Sequence, residues 1–227
     1  MAADDFSRMA RRSFMGGASI GAVAVLAGCA SLPAFSLTEA IRRLLSVASY
    51  NAITRLMAPG GFWDNQLARL ALPDMLGSRG GVVQSILASD LFKTRLRREL
   101  NHIAERGARR AAPDIADAVR LIGISNAKAL IEGGPSAATA FLRSAMSGRL
   151  IETMLPELGD GLRVANDPIV GQLLATLTGV DISGVARTLS VEADDAIWGE
   201  IGREEAFIRA NPQSTNDPLL IGVFGVH

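Results

Sequence analysis

The stretch from Asp90 to Ala111 restricts the fold most, because its apolar and charged residues fall on opposite faces of an α-helix. The apolar face, with steps of four, four, three and four residues, is formed by Phe92, Leu96, Leu100, Ile103 and Gly107. The opposite face contains Arg95, Arg98, His102, Glu105 and Arg109. This pattern predicts a long helix with a mainly basic outer face, which is either solvated and paired or in contact with anionic lipid headgroups.

A second long helix is predicted from Asp181 to Ala210, with Asp181 or Ser183 as its N-cap. It contains seven acidic residues against three arginines. Its apolar stripe is formed by Leu189, Ala193, Ile197, Ile201 and Ile208. Because the two long helices have opposite charge, we expect them to pack side by side, with charge guiding the register more than the stability.

Glycine and proline divide the rest of the chain into shorter helical segments. Helical pieces are predicted at residues 38–58, 82–87, 115–122, 125–131, 135–155 and 168–177, with Pro113 opening the third piece and a plain turn at 159–161. Apolar residues make up 48% of the chain, much of this alanine, while aromatic residues are only 5%, which favours helix over sheet. The sequence therefore predicts an all-α fold, a single irregular bundle of about seven to eight helices broken by Gly and Pro turns.

The N-terminal segment has the plan of a secretory signal. Arg11 and Arg12 precede an uncharged run, residues 13–28, that is short for a bilayer span of about 20 residues. We expect residues 1–28 to be removed as a signal peptide, 29–36 to form a tether, and 37–225 to form the helical domain.

Leu26-Ala27-Gly28-Cys29 resembles a bacterial lipobox, in which the thiol receives a diacylglyceryl group before cleavage makes Cys29 the new N-terminus. A buried structural cysteine is the alternative. That alternative requires the only cysteine of the chain to fall by chance at the end of an export segment. We therefore expect lipidation at Cys29 and, since Ala30 rather than Asp follows it, attachment to the periplasmic face of the outer membrane.

Residues 11–15, Arg-Arg-Ser-Phe-Met, resemble the twin-arginine export motif through Arg11, Arg12 and Phe14. Ala10 and Gly16 depart from the residues usual beside that motif. The general secretory route, entered through an ordinary basic start, therefore stays open as an alternative.

Composition limits the chemistry of the mature domain. With Cys29 assigned to lipid, only His102 and His227 remain as soft ligands, so a zinc site, an iron–sulfur cluster or a Ser-His-Asp triad is excluded except around His102. We expect no cofactor. Because 23 basic residues balance 23 acidic ones, no overall positive field is present to bind nucleic acid.

The mature domain resembles the uncharacterised bacterial lipoprotein family known as domain of unknown function 4197. The matching residues are Gly61, Phe62, Asn65, Arg69, Leu72, Pro73, Asn101, Glu105, Pro113, Ala137, Ala138, Thr139, Phe141, Glu204, Glu205, Ile208, Arg209, Pro212, Phe224 and Gly225. The resemblance covers roughly residues 37–225. It implies an all-helical envelope lipoprotein with no established activity.

Five of these charged residues form the candidate site: Arg69, Glu105, Glu204, Glu205 and Arg209. Positions 204 and 205 complete the apolar stripe between Ile201 and Ile208, so at least one glutamate is expected on the inward face. A buried carboxylate must be paired. Its predicted partner is Arg209, Arg69 or an arginine of the central helix, in an ion pair that organises the fold.

Three functions remain open at this point. The first is a non-catalytic module that binds an envelope protein or anionic lipid. The second is a carrier of lipid or another hydrophobic ligand, which requires a cavity between helices. The third is a hydrolase using two carboxylates among Glu105, Glu204 and Glu205, which requires that they converge in one cleft.

Overall fold

The computed structural model describes residues 34–66, 68–70, 89–165, 167–176 and 181–225. These residues belong to one compact unit, Leu32–His227. They form helices and turns and contain no strand, so the all-α prediction is confirmed for the described part of the chain. The signal peptide, Cys29 and the predicted piece at 82–87 lie outside the described residues.

Eight α-helices follow one another in the described residues: α1 (Ala34–Met57), α2 (Asp90–Leu121), α3 (Ala127–Glu132), α4 (Ala137–Met146), α5 (Arg149–Arg163), α6 (Pro168–Thr176), α7 (Ile182–Ala210) and α8 (Pro218–Phe224). A 3-10 turn, Pro212–Thr215, lies between α7 and α8. Side-chain caps fix several starts, because their oxygens accept from otherwise unpaired backbone N–H groups. Asp181 accepts from Gly184 at the start of α7, and Asp217 accepts from Leu219 and Leu220 at the start of α8.

The core lies between the longest helices. α2 and α7 each pack mainly against α1 and α5. Both predicted apolar stripes are buried, from Phe92 to Gly107 on α2 and from Leu189 to Ile208 on α7. The period of apolar residues therefore predicts both buried stripes correctly. The placement of Glu105 on the outer face of α2 is wrong, because its side chain is buried where α2 meets the turn that ends α1.

Pro113 lies inside α2, so the predicted helix boundary there is wrong. A proline removes one hydrogen bond of the helix, here the one to the carbonyl of Arg109. Ala111 and Ile115 are buried on either side of it in the same core. Packing on both sides outweighs the lost bond, and the helix continues to Leu121.

The predicted helix at 135–155 is divided in two. The break is at Ser147 and Gly148, which both adopt the left-handed conformation with φ of 45° and 78°. α5 then continues through Pro156 and through Gly161, where the sequence predicted a turn. A Cβ at Gly161 would lie 2.7 Å from Cγ2 of Ile103, so this glycine allows α5 to approach α2 rather than ending the helix.

The charges of α2 are paired differently from the prediction. α2 and α7 contact each other, but none of the ion pairs described for the α2 arginines joins α2 to α7. Arg106 donates to Glu157 on α5 at 3.0 Å, and Arg95 donates to Asp167, just before α6, at 3.2 Å. The described pairs of Arg95 and Arg106 therefore join α2 to α5 and to the start of α6, not to α7.

Candidate functional site

Glu205 is fully buried on α7, and its carboxylate occupies the N-terminus of α4. Oε1 accepts from the backbone N–H of Ala138 at 3.0 Å. Oε2 accepts from both the backbone N–H and the hydroxyl of Thr139, each at 2.6 Å. Ser136, the N-cap residue of α4, makes no side-chain cap bond, so Glu205 does the capping from another helix.

Arg209, one turn further along α7, forms the other half of this arrangement. Its Nε donates to Oε1 of Glu205 at 2.8 Å. Its terminal nitrogens donate to the carbonyls of Leu130 and Ile131, at 2.8 and 2.9 Å, in the last turn of α3. The guanidinium also lies over the ring of Phe224, 4.9 Å from its centroid. One ion pair thus holds the end of α3 and the start of α4 on either side of the Gly133-Gly134 turn.

Glu204 points to different partners from those of its neighbour. Its carboxylate accepts from Asn51 Nδ2 and from a terminal nitrogen of Arg55, both at 2.7 Å, and both partners lie on α1. Glu200, one turn earlier, accepts from Asn65 in the loop after α1 and pairs with Arg203. These two carboxylates therefore attach α7 to α1 and to its following loop.

Glu105 is buried on α2 and holds the turn that ends α1. Its Oε1 accepts from the backbone N–H of Gly60 at 2.9 Å, and Gly60 has the positive φ of 81° that the turn needs. Its Oε2 lies 2.9 Å from Nδ1 of His102, whose ring is half exposed. This contact orients His102 and occupies the second oxygen of the carboxylate.

Arg69 belongs to the loop rather than to the buried pairs. Its guanidinium lies 4.8 Å from the ring centroid of Trp63, and that of Arg98 lies 5.2 Å from the same ring. The loop is also bonded to α2 by Asn101, which accepts from the backbone N–H of Leu70 at 2.9 Å. Arg69 is therefore not a partner of Glu204 or Glu205 in the described contacts.

The five candidate residues thus fall into separate groups. Glu205 and Arg209 act as one unit, whereas Glu204, Glu105 and Arg69 each have partners of their own. Within the described part of the chain, no three His, Cys, Asp or Glu residues are arranged to hold a metal ion. Two carboxylates that share one cleft, as acid–base chemistry requires, are not found among these three glutamates.

Sequence reasoning missed a further buried carboxylate, Asp194 on α7. It accepts from Trp198 Nε1 at 2.9 Å and from Arg143 of α4 at 2.8 Å. Burial raises the pKa of Asp194 above its ordinary value, against the opposing effect of Arg143 and Trp198. The four-residue spacing of Asp194 and Trp198 on one helix was the signal available in the sequence.

A mainly apolar groove of about 680 Å³ lies between α1 and α2. Its lining residues are Ser46, Ser49, Tyr50, Ile53, Thr54, Met57, Arg109, Ala112, Pro113, Ile115, Ala116 and Val119. The sequence did not predict it, because a helix boundary was expected at Pro113. A continuous α2 places residues on both sides of Pro113 along the same face of α1.

Residues 31–225 match the family model described as "Protein of unknown function (DUF4197)". The chain belongs to this family. Family membership, read earlier from residues such as Phe62, Glu205 and Arg209, is thereby confirmed. No curated protein and no solved structure matches the chain.

None of the helices in the described residues has both the length and the apolar sequence that a membrane span needs.

Proposed function

We propose that this domain is a non-catalytic binding module, held at the membrane of the cell envelope by a lipidated Cys29, and that it binds its ligand in the groove between α1 and α2. The groove is the observation on which the proposal depends. Ligand sites are concave, mostly apolar cavities of about 300–1,000 Å³ with a few polar groups at defined positions. At about 680 Å³, with Arg109 and several hydroxyls among apolar residues, the groove has these properties.

The bonding of the three glutamates supports a non-catalytic role. A general acid or base must lie within hydrogen-bond reach of the proton that it transfers, in a cleft that the substrate can enter. Both oxygens of Glu204 and Glu205, and Oε1 of Glu105, accept hydrogen bonds from other parts of the fold. Oε2 of Glu105 lies 2.9 Å from Nδ1 of His102 on the same helix. These contacts give the three glutamates a role in holding helices and turns together, and we propose no reaction for them.

Anchoring and export complete the proposal. Acyl chains on Cys29 add about 0.8 kcal/mol of membrane affinity per buried CH₂, so two or more chains make release negligible. A tether before α1, which begins at Ala34 rather than after residue 36, would keep the helical domain beside the periplasmic face of the outer membrane. Arg11, Arg12 and Phe14 would direct export through the twin-arginine route.

The test identifies the small molecules that remain bound to the native lipoprotein when it is purified from its own membrane. The amounts bound to the parent and to two variants are compared. Ala116 is an exposed residue of the groove, so Ala116→Trp fills the groove without disturbing the core. Ala145, exposed on α4 and outside the groove, gives the matched control Ala145→Trp. Solvent extraction and mass spectrometry should find the same small molecule with the parent and with Ala145→Trp, and much less of it with Ala116→Trp. Equal recovery from all three proteins would contradict binding in the groove.

A further inference from the structure

We propose that the groove between α1 and α2 binds a single-chain fatty acid, with its carboxylate at Arg109 and its alkyl chain lying along the groove. This inference rests on the proposed function of the groove and names its ligand class. It depends on the direction of the groove, on its apolar floor and on the position of its one cation.

The groove lies between two antiparallel helices. Met57 and Arg109 are at one end, where a terminal nitrogen of Arg109 donates to the carbonyl of Met57 at 3.0 Å. From that end the lining residues continue backwards along α1 to Ser46 and forwards along α2 to Val119. The stretch of α1 from Ser46 to Met57 has a helix length of about 16 Å. A ligand shaped like a chain therefore fits the groove lengthwise.

The floor of the groove is apolar. Ile53, Ile115 and Val119 line it and are each at most 5% exposed. Met57 and Ala112 also line it and pack, partly buried, against the same core. Each CH₂ group that moves from water onto such a surface strengthens binding by up to about fourfold. The floor therefore favours a saturated hydrocarbon chain.

The two rims of the groove are exposed and chemically different. The α1 rim has hydroxyl groups, on Ser46, Tyr50 and Thr54. The α2 rim consists of Arg109, Pro113 and Ala116. Beyond Arg109 neither rim contributes a charged residue in the described part of the chain. A bound chain thus has room for one charged group, at the Met57 end.

Arg109 has the donors that a carboxylate needs. In the described part of the chain no carboxylate forms an ion pair with it. The two acidic residues that follow it on α2 have other partners, since Asp114 accepts from Thr153 on α5 and Asp117 accepts from Arg120. A guanidinium has five N–H donors, so donors remain beside the bond to Met57 for both oxygens of a carboxylate.

The number of charges favours a fatty acid over related amphiphiles. A fatty alcohol has no anion for Arg109, and an alkyl amine would place a second cation beside it. A phosphate monoester carries a charge of about −1.5 to −2 at pH 7, more than one guanidinium balances. A fatty acid has one negative charge for the one cation and one chain for the one floor.

Native mass spectrometry of the full-length lipoprotein in a mild non-ionic detergent tests the role of charge. The probes are dodecanoate, 1-dodecanol and dodecylamine, which share one alkyl chain and differ in the charge of the head group. The parent should bind one dodecanoate, about tenfold more tightly than dodecanol, because of the charge-assisted contact. Arg109→Gln should remove this preference while dodecanol binding stays like that of the parent. Arg109→Glu should reverse it, so that dodecylamine binds best.

Two controls separate lost charge from lost folding. Arg110 is exposed next to Arg109 and does not line the groove, so Arg110→Gln should keep the parent's preference for dodecanoate. Unchanged dodecanol binding shows within each variant that the groove is still formed. A purely structural role of Arg109 would weaken binding of all three probes together and would not reverse the preferred charge.

Photo-crosslinking in the native membrane tests the orientation of the ligand. Two fatty acids are used, one with a diazirine beside the carboxylate and one with a diazirine at the end of the chain. After irradiation, mass spectrometry of peptides should find the first attached near Met57 and Arg109 and the second near Ser46 and Val119. Reversed labelling, or the same labelling by both probes, would contradict the proposed orientation.

Failure of this inference is distinguishable from failure of the proposed function. If the parent binds the three probes equally and Ala116→Trp abolishes binding of all three, the groove binds hydrophobic ligands but our choice of a fatty acid is wrong. The choice is also wrong if no probe binds the parent while Ala116→Trp still loses an extractable small molecule. If no probe binds and no extractable molecule is lost in Ala116→Trp, the groove function itself is refuted.

Discussion

Glu205 and Arg209 lie one turn apart on α7 and bind the facing ends of two other helices. The carboxylate accepts from N–H groups at the start of α4, and the guanidinium donates to carbonyls at the end of α3. Each charge has the sign that the dipole of its helix favours. The pair therefore neutralises itself and also satisfies backbone groups that the Gly133-Gly134 turn leaves without partners.

Glu205→Gln should strongly destabilise the domain. Donors surround both oxygens, so the NH₂ group of a glutamine would face another donor in either orientation. Breaking a buried ion pair typically costs about 3–5 kcal/mol. Urea unfolding of the parent and the variant measures this difference in the free energy of unfolding.

Glu204→Gln is the matched control for Glu205→Gln. The side chain of Arg55, its charged partner, is 52% exposed, so loss of this pair should cost only about 1 kcal/mol. If both variants unfold like the parent while an envelope phenotype is lost, the two glutamates belong to a functional site, and the fold-organising role is refuted.

Cys29→Ser should abolish lipid attachment and cleavage of the signal peptide. The chain has no other cysteine, so no thiol can replace it. The measurement is metabolic labelling with a radioactive fatty acid, followed by gel electrophoresis to detect the uncleaved precursor. Labelled fatty acid in the Cys29→Ser protein would show that the lipobox prediction is wrong.

Replacing Arg11 and Arg12 together by lysine should block export. Lysine keeps the charge but lacks the planar guanidinium group, so a receptor that recognises the arginine pair should not bind it. Fractionation of cells into cytoplasm and envelope, with detection of the processed form, measures export. Normal processing of the double variant would assign the protein to the general secretory route instead.

Much of the fold could be predicted because it depends on local spacing. The stripe from Phe92 to Gly107 and the stripe from Leu189 to Ile208 follow from the helical period alone. Arg209 is one of the partners that the sequence predicts for a buried glutamate at position 204 or 205, since it lies four residues after Glu205 on the same helix. The structure contains that ion pair, whereas its contribution to stability stays a prediction.

The rest depends on residues that are distant in the sequence. Nothing near Glu205 indicates that its carboxylate caps α4, whose first turn lies 66–67 residues earlier. The sequence predicts breaks at Pro113 and Gly161 because the local preference of both residue types is to end a helix. The core on either side keeps both inside long helices, and the groove depends on that continuity.

Lowering the pH should remove the contribution that the ionised carboxylate of Asp217 makes to the free energy of unfolding. Burial acts to raise the pKa of Asp217, but the hydrogen bond from Arg43 and the N–H groups of Leu219 and Leu220 prevail and hold it below its ordinary 3.8. Because the pKa is lower in the folded protein, the ionised carboxylate stabilises the fold at pH values above its ordinary pKa. This contribution is lost as the pH falls through the lower, folded-state pKa.

Asp217→Asn is the variant that tests this effect. Asparagine keeps the N-cap but removes the charge that pairs with Arg43 at 3.0 Å. The variant should be less stable than the parent at pH 7 by about 0.5–1 kcal/mol, because Arg43 is partly exposed. The difference should shrink as the pH is lowered below about 4. A difference that is independent of pH in urea titrations would show that ionisation of Asp217 is not involved.

Gly161→Ala should destabilise the domain even though alanine is the better helix former. The added Cβ would lie 2.7 and 3.0 Å from the two γ-carbons of Ile103, and the branched side chain of isoleucine has little freedom to move away. Overpacking of this kind typically costs about 1–3 kcal/mol, more than the 0.5–1 kcal/mol that alanine adds to a helix.

Gly199→Ala on α7 is the matched control, because the same substitution should stabilise the domain at this position. Gly199 is exposed, and a Cβ there would have no heavy atom within 4 Å among the described neighbours. This variant should therefore be more stable than the parent by about 0.5–1 kcal/mol. Thermal unfolding, monitored by circular dichroism, should give Gly199→Ala a higher melting temperature than the parent and Gly161→Ala a lower one. If Gly161→Ala is stabilised as much as Gly199→Ala, the close approach of α5 to α2 does not depend on the missing side chain.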